Sequence, residues 1–177
     1  MSNILLVFCI ILIAFLVFVS TRPNTFSIKR RIAIKAKPEA IYPLLADFHG
    51  NGWGKWSPWE EMDPELKRTF SGSHDGVGAI YEWEGNKKVG AGRMEIQHAD
   101  APMSVDIRLD FLRPMKVTNA TEFRIIDEGD ESMVSWCMHG PVSFVAKIFH
   151  LFMNMDKIVG ADFERGLTKL KALAEAK

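Results

Sequence analysis

The stretch FMNMDKIVGADFERGLTKLKALAEA, residues 152–176, decides the fold of this chain. Its apolar residues recur every three or four positions, which is the spacing of one face of an α-helix; they are Phe152, Met155, Val159, Phe163, Leu167, Leu170 and Leu173. Asn154 suits an N-cap, and Asp156 suits the positive end of the helix dipole. We therefore predict a long C-terminal helix that lays one apolar face on the rest of the chain.

The middle of the chain predicts strands. Apolar and polar residues alternate most cleanly over residues 104–112, with Val105, Ile107 and Leu109 on one face. The predicted strands are residues 26–36, 66–71, 79–84, 89–97, 104–112, 117–126 and 132–139. Short turns separate the last six, which favours an antiparallel meander, and Pro38 begins a short helix after the first strand. The prediction is an α+β fold in which a curved antiparallel sheet of about seven strands surrounds the C-terminal helix.

Composition bounds the function classes. The chain has 177 residues, room for one domain and an anchor, with 22 basic and 22 acidic residues. This balance gives no basic excess, so we expect no nucleic acid partner. Cys9 and Cys137 offer no disulfide framework.

The N-terminal residues 4–19 form an apolar run of nearly the length of a membrane span. We predict a transmembrane anchor at residues 1–21, a linker at residues 22–25 and a folded domain at residues 26–177. The alternative is a cleaved signal peptide, but no basic residue precedes the apolar run. Basic residues follow the run instead, which predicts a single-pass membrane protein with its domain in the cytoplasm.

Two further segments are rich in apolar surface. Residues 50–59, GNGWGKWSPW, place three tryptophans among glycines and a proline, which predicts an irregular loop whose indoles need an apolar environment. In residues 142–153 the polar positions, including Lys147 and His150, form one narrow stripe. The remaining apolar arc is wider than a core face needs, so it predicts contact with a membrane or a lid over a cavity.

Four motifs resemble the START-like superfamily, also called SRPBCC, and in particular its polyketide cyclase/dehydrase-like branch. They are IKAKPEAIY at residues 34–42, WSPW at 56–59 with Asp63 and Pro64, GVGAIYEW at 76–83, and FERGLTKL at 163–170. The resemblance implies a helix-grip fold with a deep cavity between the sheet and the C-terminal helix. It does not fix an activity, since this superfamily contains carriers, receptors and enzymes.

Inward strand positions and the C-terminal helix predict an apolar wall for that cavity. The predicted ligand-binding residues are Trp56, Trp59, Tyr81, Trp83, Met94, Phe111, Trp136, Met138, Phe152, Met155, Val159 and Phe163. Such a wall suits a flat or apolar ligand held by burial. The alternative is that these side chains only fill the core. Gly160 and Gly166 predict close packing of the C-terminal helix on the sheet, or room for a ligand.

Few ionisable groups are expected inside. Tyr81 is the best interior proton donor, and Asn119 is a candidate for orienting a carbonyl, so these two are the candidate catalytic residues. No triad order and no zinc-ligand spacing stands out, so we expect neither a metal nor a cofactor.

Three functions follow as hypotheses. The first is a membrane-tethered domain that binds a hydrophobic small molecule or a lipid. The second is a cyclase/dehydrase-like enzyme. The third is a protein-interaction module that uses Trp53, Trp56 and Trp59 as an exposed surface. The sequence indicates neither the ligand nor the oligomeric state.

Overall fold

Seven strands form one antiparallel sheet in the computed structural model, which describes residues 2–50 and 52–176. They are β1 (Thr25–Ile34), β2 (Lys67–Gly72), β3 (Ala79–Glu84), β4 (Ala91–Asp100), β5 (Ser104–Arg113), β6 (Val117–Asp127) and β7 (Ser132–Pro141). The strand order is β1-β7-β6-β5-β4-β3-β2, so the chain meanders from β2 to β7 and then pairs β7 with β1. The predicted antiparallel sheet is confirmed. Met1, Asn51 and Lys177, which the predicted anchor, tryptophan loop and domain included, lie outside the described residues.

The helices are α1 (Ser2–Ser20), α2 (Pro38–Ala46), α3 (Trp53–Trp56), α4 (Phe144–Phe152) and α5 (Met155–Glu175). A 3₁₀ turn, Pro58–Glu61, follows α3. The predicted C-terminal helix is confirmed as α5, and the Asn154 side chain caps it by accepting a hydrogen bond from the Lys157 backbone N–H at 3.0 Å. Residues 144–152 form a separate helix because the chain leaves helical geometry at Met153 and Asn154.

Helix α5 lies across the concave side of the sheet and is fixed to β1 at both ends. Near its start, Arg30 of β1 donates to the Asp156 and Glu164 carboxylates. Near its end, the Lys35 backbone N–H donates to the Glu175 carboxylate at 2.7 Å. Between these points α5 buries Phe163, Leu167, Leu170 and Ala174 in the core. The predicted apolar stripe from Phe163 to Leu170 is therefore the face that α5 packs against the core.

Two glycines of α5 permit its close approach to the sheet. A Cβ at Gly160 would lie 1.9 Å from Nη2 of Arg30, and one at Gly166 would lie 2.9 Å from the Trp136 ring. Real Cβ atoms do not approach other atoms so closely. The prediction of close packing at these two positions is confirmed.

The sheet has two ends with different surroundings. At one end β1 begins directly after α1, and β7 ends directly before α4; Thr25 pairs there with Pro141. We call this the α1 end. Antiparallel pairing also places the β3–β4 turn (residues 85–90) and the β5–β6 turn (residues 114–116) at the α1 end. The β6–β7 turn (residues 128–131) lies at the opposite end, which we call the far end.

Helix α1 is long and apolar enough to cross a membrane over Asn3–Ser20, judged by length and composition, and a signal sequence would meet the same criteria. Most of its side chains are exposed, whereas Val19 is buried. Its last turn meets α4, where the Lys147 ammonium donates to the Ser20 carbonyl at 3.4 Å. Lys147 is only 5 % exposed. The polar stripe predicted for residues 142–153 is therefore partly covered, because α1 lies against Lys147.

A candidate ligand cavity between the sheet and α5

A partly enclosed cavity of about 220 Å³ lies between the inner face of the sheet, the α3 and 3₁₀ segment, and the first half of α5. Strands β3 to β7 each contribute to its wall, because every second residue of a strand points to the same face. Four of the five tryptophans line it: Trp53, Trp59, Trp83 and Trp136. The cavity is smaller than the roughly 300–1,000 Å³ of drug-sized ligand sites. It therefore fits a small molecule, or one part of a longer molecule.

Most of the predicted wall residues lie together around this cavity. They are Trp59, Tyr81, Trp83, Met94, Phe111, Trp136, Met138, Val159 and Phe163. Trp136 and Phe163 stack face to face with ring centroids 4.0 Å apart, so α5 and β7 meet through an aromatic pair at the cavity floor. Leu109 and Thr121 complete the strand contribution.

Four predicted site residues lie elsewhere. Phe152 is 79 % exposed at the end of α4, because the break before α5 turns its side chain outward. Met155 lies in a surface groove beside Phe26 at the start of β1. Trp56 is fully buried in the core and donates to the Leu44 carbonyl at 2.8 Å, so it supports the wall from behind. Asn119 is buried against Gly140, outside the cavity lining.

The tryptophan segment is more regular than predicted, because residues 53–56 form one α-helical turn and residues 58–61 a 3₁₀ turn. Its indoles fill the end of the core: Trp53 is 5 % exposed and packs edge to face on Trp56 and Trp136. The predicted need for an apolar environment is met inside the domain. All three tryptophans of this segment are among the described residues and none of them is exposed, so they form no exposed surface for a protein partner.

A hydrogen-bonded chain of three residues gives the apolar cavity a polar edge. The Tyr81 hydroxyl donates to Oε1 of Glu60 at 2.6 Å, and Nε of Arg68 donates to Oε2 of the same carboxylate at 2.6 Å. Glu60 and Tyr81 both line the cavity. Burial, followed by the hydrogen bond to Glu60, raises the pKa of Tyr81 above its ordinary value. Tyr81 is therefore a neutral phenol at physiological pH, with its proton directed at Glu60.

Glu60 is the candidate site residue that the sequence did not reveal. Its side chain is 10 % exposed, and it directly follows residues 50–59, which were predicted to be a loop. No local sequence pattern marks Glu60, because its partners Arg68 and Tyr81 lie eight and twenty-one residues further along the chain. The expectation of few interior ionisable groups thus missed a charged pair that the 3₁₀ turn brings against β2 and β3.

Two further polar atoms of wall residues are buried and have no hydrogen-bond partner among the described residues. They are Oγ of Ser57 and Nε1 of Trp136. Buried polar atoms are nearly always paired, and an unpaired one requires an explanation. A bound molecule with a hydroxyl group is one explanation, because a hydroxyl both donates and accepts.

No group of three metal-binding side chains occurs within residues 2–50 and 52–176. The cavity wall offers one carboxylate already bound to Arg68, together with Asp162 and Lys88. This arrangement can orient a hydrogen-bonding group of a ligand at one edge and bury an apolar body over the rest.

Comparison with known families agrees with this architecture. A family model described as polyketide cyclase/dehydrase and lipid transport matches residues 25–175. No curated protein matches the sequence significantly.

Solved structures share the fold at low sequence identity. The Aha1 dimer from Colwellia psychrerythraea has a TM-score of 0.57 at 19% identity, covering 85% of this chain and 96% of that one. Ginseng major latex-like protein 151 from Panax ginseng has a TM-score of 0.57 at 13% identity, covering 87% and 97%. The di-domain ARO/CYC StfQ from the steffimycin biosynthetic pathway has a TM-score of 0.60 at 8% identity, covering 86% and 51%. These likenesses concern the fold alone.

Proposed function

Because the chain belongs to the polyketide cyclase/dehydrase and lipid transport family, we propose that it is a membrane-tethered domain that binds a hydroxylated apolar molecule between its sheet and α5. The fold is consistent with hydrophobic ligand binding. The observation that carries the proposal is the cavity itself, an aromatic wall with one polar edge at Tyr81 and Glu60. Burial of the ligand's apolar body contributes roughly 25 cal/mol per Å².

The chemistry of the polar edge narrows the ligand class. The Glu60 carboxylate accepts hydrogen bonds, and so does the Tyr81 oxygen, whose own proton is engaged by Glu60. A ligand hydroxyl can donate to either. An anionic ligand group would meet the Glu60 charge at this edge, although Arg68 balances that charge. Ser57 and Trp136 supply further partners for the same hydroxyl or for a neighbouring carbonyl.

We propose the tether from the sequence and the position of α1. Residues 1–21 form the anchor, residues 22–25 the linker and residues 26–177 the binding domain, which faces the cytoplasm. Support comes from the exposed apolar surface of α1 and from the basic residues that follow it. A signal peptide would be removed, so the intact mass of the protein purified from membranes distinguishes the two. The proposal expects the uncleaved mass and resistance to alkaline carbonate extraction.

The ligand proposal is tested by filling the cavity. Leu109→Trp places an indole in the void from β5, whereas Arg108→Trp places one on the outer face of the same strand. Full-length protein purified in mild detergent should carry small molecules detectable by mass spectrometry. These molecules should be lost from Leu109→Trp and kept by Arg108→Trp. An identical set of molecules on both variants, or none on the unchanged protein, would contradict ligand binding in this cavity.

An enzymatic role is the second candidate, and the Tyr81–Glu60 contact is the observation in its favour. Its raised pKa makes Tyr81 a poor proton donor near neutral pH, because general acids work best with a pKa close to the operating pH. We therefore place Tyr81 as an orienting group. The two functions differ in outcome: a binding domain returns the bound molecule unchanged, a dehydrase releases a product that has lost water, and a cyclase releases an isomer of equal mass with a different chromatographic retention.

A further inference from the structure

Helix α4 exposes apolar side chains and buries its lysine. Phe144, Val145, Phe149, Phe152 and Met153 are 43, 53, 54, 79 and 46 % exposed. The charged residue of the helix, Lys147, is buried on the opposite side. A surface helix of a soluble domain has the reverse arrangement. We call these five exposed side chains the α4 face.

The position of α4 relates this face to α1. Helix α4 starts after β7 and α1 ends before β1, and the two strands pair through Thr25 and Pro141. The Val142 backbone N–H donates to the Asn24 carbonyl at 2.7 Å, and Lys147 reaches the Ser20 carbonyl at the end of α1. A lysine there also complements the negative end of the α1 dipole. The α4 face is thus held beside the last turn of α1.

Other features of the α1 end have the same character. Leu112 at the end of β5 and Met115 in the β5–β6 turn are 49 and 50 % exposed. At the last turn of α1, the Arg22 guanidinium lies over the Phe18 ring, 4.1 Å from its centroid. Apolar side chains beside an aromatic ring and a cation are typical of the membrane–water interface.

Three lysines lie in the turns of the α1 end, although the chain is neutral overall. The β3–β4 and β5–β6 turns at the α1 end carry Lys87, Lys88 and Lys116 and no acidic residue. The β6–β7 turn at the far end carries Glu128, Asp130 and Glu131 and no basic residue. The segment that enters β2 also lies at the α1 end, where the Asn86 backbone N–H donates to Asp63, and it adds Glu61 and Glu65. The three turn lysines are therefore a local basic group, which an anionic membrane surface attracts.

We propose that the α1 end docks on the bilayer that α1 spans, with the α4 face inserted at the boundary of headgroups and acyl chains. The three lysines of the turns then face anionic headgroups. This inference rests on the anchor part of the proposed function. It also bears on the ligand, because Lys88 and Val89 of the β3–β4 turn line the cavity. The cavity therefore lies toward the docked end, where a molecule dissolved in the bilayer can reach it.

The test uses the full chain with Cys9 and Cys137 replaced by serine, reconstituted in vesicles of phosphatidylcholine and phosphatidylglycerol. Three separate variants, Phe149→Cys, Glu128→Cys and Leu12→Cys, each carry the environment-sensitive fluorophore NBD on the single introduced cysteine. Position 149 reports the α4 face, position 128 the far end and position 12 the span. Quenching by nitroxide-labelled lipid reports membrane contact, and quenching by aqueous iodide reports exposure to water.

Docking predicts that the label at 149 emits to the blue of the label at 128, is quenched by lipid nitroxide and loses its iodide quenching. In vesicles without phosphatidylglycerol, or with Lys87, Lys88 and Lys116 changed to glutamate, the label at 149 should shift toward the behaviour of the label at 128.

When the label at residue 12 shows that α1 is inserted, either of two outcomes for the label at residue 149 would overturn the docking proposal. Iodide quenching at 149 equal to that at 128 means that the α4 face is in water. Protection from both quenchers means that protein, such as a second copy, covers it. If aqueous iodide quenches the label at residue 12, α1 is not inserted, and both the anchor and the docking proposals are contradicted. None of these readings depends on the ligand, which the cavity-filling variants test separately.

Discussion

A single carboxylate, Glu60, connects three parts of the site. It accepts from Tyr81 of β3 and from Arg68 of β2 while lying on the 3₁₀ turn beside the tryptophans. Two charge-assisted hydrogen bonds hold it in place and leave little freedom for its oxygens. The polar edge of the cavity is therefore rigid, which favours selection among ligands by the position of a hydroxyl group.

Replacing Tyr81 with phenylalanine should weaken binding of a hydroxylated ligand without emptying the cavity. The loss of one hydrogen bond costs about 0.5–1.5 kcal/mol, or roughly two- to tenfold in affinity. Tyr42→Phe is the matched control, because Tyr42 does not line the cavity. The measurement is competition for the molecule retained by the purified protein. Equal affinity in the two variants would show that Tyr81 does not contact the ligand.

Both tyrosines should ionise late in the folded protein. Burial and then Glu60 raise the pKa of Tyr81, and burial with Asp75 and Asp100 raises that of Tyr42. A raised pKa means that the folded state favours the protonated phenol. This contribution to folding stability is present below the unfolded pKa of about 10 and is lost as pH rises toward the folded pKa values. Ultraviolet titration should find phenolate at higher pH in the folded protein than in denaturant. Titration of both groups near pH 10 while the fold persists would contradict the buried hydrogen-bonded phenol.

Gly92 determines where Trp83 lies in the cavity wall. A Cβ at Gly92 would lie 2.4 Å from the Trp83 ring and 2.6 Å from the Asp110 carbonyl oxygen. We expect Gly92→Ala to destabilise the domain by about 1–3 kcal/mol and to shift Trp83 fluorescence. Gly54→Ala is the control, because nothing lies within 4 Å of its Cβ position. Equal urea midpoints for the two variants would contradict this packing.

At the scale of elements, the sequence predicted the helices and strands whose buried residues recur at a regular spacing. The α5 stripe from Phe163 to Leu170 and the β5 alternation from Val105 to Leu109 were read correctly, because each of these stretches buries one face. Lys147 was not predicted to be buried, and Phe152 was misplaced, for a common reason. Their orientation depends on α1 and on the break between α4 and α5, and local spacing reports neither.

Acid should loosen α5 from β1. Hydrogen bonds from Arg30 lower the pKa of Asp156, and the Lys35 backbone N–H lowers that of Glu175. Depressed carboxyl pKa values stabilise the fold above the ordinary value of about 4, and this stabilisation is lost as pH falls through the folded values.

The urea midpoint should therefore decrease below pH 4, and less steeply in an Asp156→Asn, Glu175→Gln double variant. A Glu128→Gln, Glu131→Gln variant removes two charges from the far end and should retain the slope of the unchanged protein. If the urea midpoint falls equally steeply with pH in the unchanged protein and in both variants, the contacts of Asp156 and Glu175 with Arg30 and Lys35 are not the cause.

At the scale of the molecule, fold and family followed from the order of elements, while the polar half of the site did not. Glu60, Arg68 and Tyr81 belong to three segments whose meeting requires the completed sheet. The grouping of Lys87, Lys88 and Lys116 at one end of the sheet was also hidden in a net charge of zero. It became visible once antiparallel pairing sorted the turns to one end or the other.

Lengthening the linker should separate docking from anchoring. A Gly/Ser insertion between Arg22 and Asn24 lowers the effective concentration of the α4 face at the membrane. In reconstituted vesicles the NBD label at 149 should then gain iodide quenching, while the label at 12 keeps its lipid contact. A label at 149 unaffected by the insertion would mean that α4 binds membrane without help from α1.

Only four residues separate α1 from β1, a reach of roughly 14 Å when extended. Under the proposed anchor, a domain on so short a linker cannot cross an aqueous gap to a second membrane. A molecule bound under that proposal would be returned to the same leaflet or passed to a neighbour diffusing in that leaflet. Delivery by this protein would then be governed by lateral encounters in two dimensions.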